Sequence, residues 1–153
     1  MIDRDFFDLE TYAVYSAINR LFGKEATQRV INLFGELAWR DIKKRIKVEM
    51  QSAYDVMRNL AGYFKDVGYI TGLDIEKINE YEFIATFHKG SGAAYGAVMR
   101  LKAENAPPPH YLTTTMSAAI RDVCNMKFNL IHTELDTAEK EYEARERWVL
   151  TKI

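Results

Sequence analysis

Cysteine is almost missing from this sequence, which has Cys124 as its single thiol. One cysteine excludes an intrachain disulfide framework and a zinc site made of several thiolates. Long apolar runs are missing too, since no stretch reaches the length of about 18 residues that a membrane-spanning helix needs. The first residues also lack the apolar core of a signal peptide. These absences together predict a cytoplasmic protein that has no membrane as a partner.

The net charge is close to zero, because 21 basic residues stand against 22 acidic ones and leave a balance of −1. A near-neutral domain has no general field that attracts DNA, RNA or an anionic membrane surface, so no nucleic-acid partner is predicted. The 153 residues are interpreted as one domain over positions 1–153, since the sequence has no internal repeat and no low-complexity linker.

Proline is scarce, and its three copies form a single run at positions 107–109. Because no proline interrupts the first 67 residues, helices are expected to fill the amino-terminal half. Apolar residues at helical spacing predict three of them: Asp5 or Asp8 to Gly23, Lys24 to Ile46, and Val48 to Val67. Further along, the pattern predicts a strand over Glu80–His88, a helix over Ala93–Glu104 and, after the proline elbow, a helix capped by one of the threonines at 113–115.

The fold class follows from a change of hydrophobic period at Asn125. After the helical run Tyr111–Cys124, apolar and polar residues alternate over Met126–Leu135, and they do so again in the closing segment Arg145–Ile153. This order predicts an α+β fold, with a helical amino-terminal half packed on a small antiparallel sheet that ends in a C-terminal β-hairpin. The charged run Glu139–Arg147 is interpreted as a solvated turn and strand edge.

The three histidines do not form a known metal motif. None has Glu or Asp three residues before it, and H-E-x-x-H is absent. His132-Thr133-Glu134 has the spacing of zinc deaminases, but the P-C-x-x-C segment that those enzymes need is missing. No metal and no cofactor is therefore predicted. His88 and His132 are interpreted as satisfied in or near the core, and His110, at the proline elbow, as the histidine best placed to contact a ligand.

Gly90, Gly92 and Gly96 follow a predicted strand and open a predicted helix, where backbone amides can hold an anion. Their spacing, G-x-G-x-x-x-G, is one residue longer than the dinucleotide fingerprint, and three predicted helices precede the first strand. This segment is interpreted as a loop that starts a helix.

The order of elements resembles that of the vinyl-reductase-type small-molecule-binding domains, also called hydrocarbon-binding domains, and of the related aminothiazoline-carboxylate-hydrolase-like proteins. The resemblance covers roughly residues 20–153. Gly23-Lys-Glu-Ala26 matches the family's G-x-x-A helix start, and Phe128, Leu130 and Glu134 are similar to its V-x-V-x-E hairpin pattern. The family's usual hairpin cysteines are missing, because residues 144–148 contain none. The resemblance therefore implies binding of an apolar ligand without the metal.

The leading hypothesis is a domain that binds a small, largely apolar or aromatic molecule between its helices and its sheet, in a sensory or carrier role. Nine Tyr, eight Phe, six Met and two Trp supply the side chains that line adaptable pockets. The residues predicted to contact the ligand are Trp39, Tyr54, Met57, Tyr63, Phe87, His110, Tyr111 and Met116. Trp39 lies off the main apolar face of its helix and is interpreted as a pocket wall or an interface residue.

Two alternatives remain open. One is a homodimer whose long helices pack across a two-fold axis without a ligand pocket. The other is a hydrolase of the aminothiazoline-carboxylate type, for which Glu82 and Glu134 on neighbouring strands would be the pair to test. No catalytic residue is assigned.

Overall fold

The computed structural model describes residues 3–46, 49–89, 92–135 and 142–153. Within these ranges lie four helices and one four-stranded antiparallel sheet. The elements are α1 (Arg4–Arg45), α2 (Ala53–Asp66), β1 (Leu73–Asn79), β2 (Glu82–His88), α3 (Tyr95–Ala103), α4 (Tyr111–Cys124), β3 (Met126–Leu135) and β4 (Tyr142–Lys152). The predicted α+β class is confirmed, as are the helical amino-terminal half and the C-terminal pair of strands.

Helix α1 joins the first two predicted helices across a kink. Gly23 has φ 83° and ψ 174°, a backbone conformation that interrupts the helix and that glycine adopts without steric strain. The helix begins earlier than predicted, because the Asp3 carboxylate accepts the backbone N–H groups of Asp5 at 2.8 Å and Phe6 at 3.1 Å. The predicted caps at Asp5 and Asp8 are therefore wrong. Asp8 instead accepts the backbone N–H of Ala97, in the first turn of α3, at 2.8 Å.

Helix α2 starts at Ala53, although the pattern predicted Val48, which lies outside the described residues. The start is set by a capping box. Ser52 Oγ accepts the backbone N–H of Asp55 at 3.1 Å, and the Asp55 carboxylate accepts the backbone N–H of Ser52 at 3.0 Å. These reciprocal bonds satisfy two amides that a helix start leaves without partners.

The threonine cap predicted for α4 is also wrong. His110 occupies the N-cap position without a capping side chain. The hydroxyls of Thr113 and Thr115 donate back to the carbonyl oxygens of His110 at 3.1 Å and Tyr111 at 2.7 Å. These hydroxyls bond to carbonyl oxygens three and four residues earlier, as serine and threonine commonly do inside helices.

The strand order of the sheet is β1-β2-β4-β3, so β4 lies between two neighbours. This corrects the interpretation of Glu139–Arg147 as a strand edge, because its described part, 142–147, belongs to the central strand. The alternation of side chains also buries Glu146 against the helices despite its charge. Strand β1 was not predicted, since most of its residues are exposed on an edge. The predicted start of β2 at Glu80 is too early by two residues, because residues 80 and 81 form the turn before the strand.

The main core lies between α2, α4 and the sheet. Its centre consists of side chains with 0% exposure, among them Met57, Leu60, Phe83, Met116 and Trp148. A smaller cluster joins α1 to α3 and the segment that follows α3, through Tyr15, Ile31, Leu101 and Ala106. No helix among the described residues has the length and hydropathy to span a bilayer.

Candidate functional site

A cavity of about 350 Å³ lies between the sheet, α3 and the first turn of α4. The sheet contributes Phe87, Leu130, Thr133, Ala144 and Glu146. The segment before α3 contributes Gly92 and Ala94, and helix α3 contributes Tyr95, Val98, Met99 and Lys102. Glu143, near the start of β4, completes the wall together with Tyr69, Ile70, His110, Leu112 and Thr113. Aromatic and aliphatic side chains thus surround a small number of polar groups, which is the usual composition of a ligand site.

A bulge in β4 brings two glutamates to this cavity. Phe87 pairs with Ala144 and His88 pairs with Tyr142, so β4 has one extra residue, Glu143, at this point. In a regular strand, residues 143 and 146 would point to opposite faces of the sheet. The extra residue shifts the alternation, and the bulge lets both carboxyl groups line the same cavity.

Glu146 is a buried carboxyl group at the centre of the sheet, opposite Ala85 on β2 and Thr133 on β3. Its side chain belongs to a residue that is only 6% exposed, and its Oε2 accepts the indole N–H of Trp148 at 2.7 Å. Burial raises the pKa of Glu146, against the opposing effects of the indole N–H and the charge of Lys102. Among the described residues, no Lys, Arg or His nitrogen lies within 4.0 Å of this carboxylate.

Glu143 holds the start of the segment that leads into α3. It is 7% exposed, and its Oε2 accepts the backbone N–H of Gly92 at 2.8 Å. The Gly92 amide belongs to the glycine segment considered as an anion site, of which Gly90 lies outside the described residues. A protein carboxylate therefore occupies the amide that a bound anion would use, in agreement with the interpretation of this segment as a loop before a helix.

His110 and Tyr69 supply two neutral polar groups. Burial, assisted by the charge of Lys102, lowers the pKa of His110 to about 4, so its imidazole is uncharged at neutral pH. Burial also raises the pKa of Tyr69 above its ordinary value, so its hydroxyl stays protonated. At neutral pH the wall of the cavity thus offers an imidazole and a phenol that can each exchange hydrogen bonds with a ligand.

Two of the eight residues predicted to contact a ligand line this cavity, Phe87 and His110. The structure places Trp39, Met57 and Met116 in the main core instead, with exposures of 4%, 0% and 0%. Trp39 was expected to form a pocket wall or an interface. Its ring is buried because α1 packs on α4, where the indole N–H donates to Asp122 at 2.9 Å.

The other three predicted residues also lie away from the cavity wall. Tyr54 stacks on Phe83 with ring centroids 6.2 Å apart, and Tyr63 packs half-buried against the main core. Tyr111 belongs to an aromatic cluster, where its ring lies 4.5 Å from that of Phe34 and 5.9 Å from that of Tyr69. The apolar period identified these side chains as buried, but it did not distinguish a cavity wall from a filled core.

The carboxylate pair suggested for a hydrolase does not form. Glu82 is on β2 and Glu134 is on β3, and β4 lies between these strands. The Glu82 carboxylate accepts the Nε–H of Arg147 at 2.7 Å, while the Glu134 carboxylate accepts the hydroxyl of Tyr142 at 2.6 Å. Within the described parts of the chain, no cluster of three or more His, Cys, Asp or Glu side chains could hold a metal ion.

The two strand histidines are not in the core as interpreted. The side chain of His88 is 52% exposed and its Nε2 lies 2.7 Å from an Asp74 oxygen, while that of His132 is 64% exposed. Both lie near a carboxylate at the surface, because the outer face of a sheet with helices on one side remains in water.

Comparison with protein-family models and with curated proteins finds no match for this chain. What the cavity can bind therefore follows from its own geometry and chemistry.

Proposed function

We propose that this protein binds a small, largely apolar or aromatic molecule in the cavity between α3, α4 and the sheet, in a carrier or sensory role. The observation that carries the proposal is a pocket of about 350 Å³, partly open to solvent, that lies beside a filled core. At about 30 Å³ for each water-sized group, this space fits a ligand of roughly a dozen non-hydrogen atoms.

The polar groups of the cavity are a second argument that it is a ligand site and not a defect in the packing of the core. A buried carboxyl group with a single neutral hydrogen-bond donor still costs more free energy than an apolar residue would at position 146. Glu146 instead lines the same pocket as His110, Tyr69 and Thr133. A few convergent polar groups within an apolar wall orient a ligand and provide its specificity. The resemblance to hydrocarbon-binding domains is part of the same proposal.

A cavity-filling variant tests this function. Val98 lines the cavity from α3, whereas Ala103 is an exposed residue at the end of the same helix. Val98→Trp should occupy the ligand space, and Ala103→Trp is the matched control. Native mass spectrometry of the freshly purified proteins should show an adduct of low mass on the wild type and on the control, and a bare chain for Val98→Trp.

For a ligand lost in purification, the same three proteins would be titrated with 2-phenylethanol and followed by NMR. Uptake by the wild type and the control, and its loss in Val98→Trp, would support the proposal. An adduct that persists on Val98→Trp would contradict it, and so would the absence of both adduct and uptake from the wild type.

A second candidate function is self-association through α1. Val30, Leu33, Phe34 and Leu37 form a row on one side of this helix and are 41%, 53%, 36% and 44% exposed. With about 150–200 Å² for each large apolar side chain, the row exposes roughly 300 Å², the size of the largest apolar patches on monomers.

The spacing of this row favours a second copy of the chain as its partner. The intervals of three, one and three residues are the same in both directions along the helix. An antiparallel pair of α1 helices would therefore set Val30 opposite Leu37 and Leu33 opposite Phe34. Such a self-complementary contact is what a two-fold dimer requires.

A further inference from the structure

The charges on the cavity wall indicate which ligand it selects. The described residues that line it include four acidic or basic side chains other than tyrosine: Glu143, Glu146, Lys102 and His110. The two carboxyl groups belong to residues that are 7% and 6% exposed, whereas Lys102 is exposed and lies on the outer part of α3. His110 is uncharged at neutral pH, so among the described lining residues the buried groups that can be ionised there are the two carboxyl groups.

Among the residues that the structure describes, Glu146 has no cationic partner within 4.0 Å. The indole N–H of Trp148 satisfies Oε2 at 2.7 Å, but this single donor is neutral. Lys102 does not reach the carboxylate within ion-pair distance. A carboxylate out of water is stable only with an opposite charge or several donors, and otherwise it takes up a proton. The empty space beside Glu146 is where that opposite charge can enter.

We infer that the ligand is an organic cation, a protonated amine on a small aromatic or aliphatic body, whose ammonium group pairs with Glu146. This inference rests on the proposed function of the same cavity. Phe87, Tyr69 and Tyr95 lie on the wall and give the body of the ligand apolar contact, and their ring faces attract a positive charge. Glu143 accepts the Gly92 amide and so fixes the segment before α3, from which Tyr95 reaches the wall.

The two tryptophans provide an internal reporter and an internal control. The indole N–H of Trp148 donates to Glu146 at 2.7 Å, so its NMR signal reports any charge placed on that carboxylate. The indole N–H of Trp39 donates to Asp122 at 2.9 Å, away from the cavity. The chain has no other tryptophan, so one variant that lacks either tryptophan is enough to assign both indole signals.

The experiment titrates the ¹⁵N-labelled full chain near pH 7 with three probes of similar shape: 2-phenylethylamine, 2-phenylethanol and phenylacetate. The amine should shift the Trp148 signal and leave the Trp39 signal in place, with an affinity about tenfold to a hundredfold above that for the alcohol, the range expected for a charge-assisted bond. Phenylacetate should bind least. Glu146→Gln should remove the preference for the amine, while Glu76→Gln, the same change on an exposed residue of β1, should keep it.

Each outcome decides between the two proposals. If the alcohol binds as tightly as the amine, or if Glu146→Gln keeps the preference, the inference is overturned and the cavity remains a ligand site. If none of the probes shifts the Trp148 signal, the proposed function fails with it. Should Glu146→Gln not fold, Lys102→Gln replaces it. Loss of this positive charge should raise the ratio of amine to alcohol affinity several-fold, and an unchanged ratio would overturn the inference.

Discussion

Gly35 lies where α1 packs against α4, and its replacement by alanine should destabilise the protein. A Cβ atom at this position would stand 2.6 Å from the carbonyl oxygen of Thr114 and 2.6 Å from its Cγ2. These distances are far below van der Waals contact, and the carbonyl belongs to the backbone of α4. The two helices must therefore move apart, since a backbone atom cannot turn away as the end of a flexible side chain can.

The expected change is a balance of two effects. Alanine is better than glycine inside a helix by about 1 kcal/mol. Overpacking of a close contact costs about 1–3 kcal/mol, and the upper half of this range applies where backbone is displaced. We therefore expect Gly35→Ala to lower the free energy of unfolding by about 1–2 kcal/mol.

Gly62 is the matched control, because it is a helical glycine in α2 that is exposed and whose added Cβ would meet no atom within 4 Å. Gly62→Ala should raise the free energy of unfolding by about 0.5–1 kcal/mol. Urea denaturation followed by circular dichroism would measure both variants, with equal slopes as the check that the comparison is valid. If Gly35→Ala is as stabilising as Gly62→Ala, the packing of α1 on α4 described above is wrong.

Two further predictions concern charge and assembly. In an acid titration followed by NMR, the Trp148 indole signal should change at a pH above the usual 4.5 of a glutamate, because burial raises the pKa of Glu146. The Trp39 signal should change only below 3.8, because hydrogen bonds from Lys43 and the indole lower the pKa of Asp122, and a reversed order would refute this account of the two carboxyl groups. For assembly, Leu33→Glu should convert a dimer to a monomer in analytical ultracentrifugation by placing like charges at the two-fold contact. A wild type that is monomeric at high concentration would rule out the α1 dimer.

Local patterns determined much of the architecture. The change of period at Asn125 correctly predicted β3 over Met126–Leu135, although the pattern did not indicate the irregularity between Leu130 and His132. The run of residues without proline correctly predicted a helical first half. Helix starts were less accurate, since the residues that cap α1 and α2, Asp3 and Ser52, compete with other polar residues nearby.

The candidate site depended on contacts that no local pattern contains. The charged run before Trp148 looks like a solvated edge, because seven of its nine residues from Glu139 to Arg147 carry charge. Its position in the middle of the sheet follows from the pairing of β4 with both β3 and β2, and β2 is far from β4 in sequence. The period also could not separate Phe87, on the cavity wall, from Met57, in the filled core, since both are apolar and turned inward.

The sequence by itself determined the class of the fold and the positions of most helices and strands, because these reflect the spacing of apolar residues along the chain. The tertiary structure alone decided the strand order, the bulge at Glu143 and the burial of Glu146 beside an empty space. The physical reason is that a bulge and a cavity are properties of paired strands and of the helices packed on them. In a regular strand, residues 143 and 146 would point to opposite faces of the sheet. The bulge that forms where β4 pairs with β2 lets both residues line one pocket.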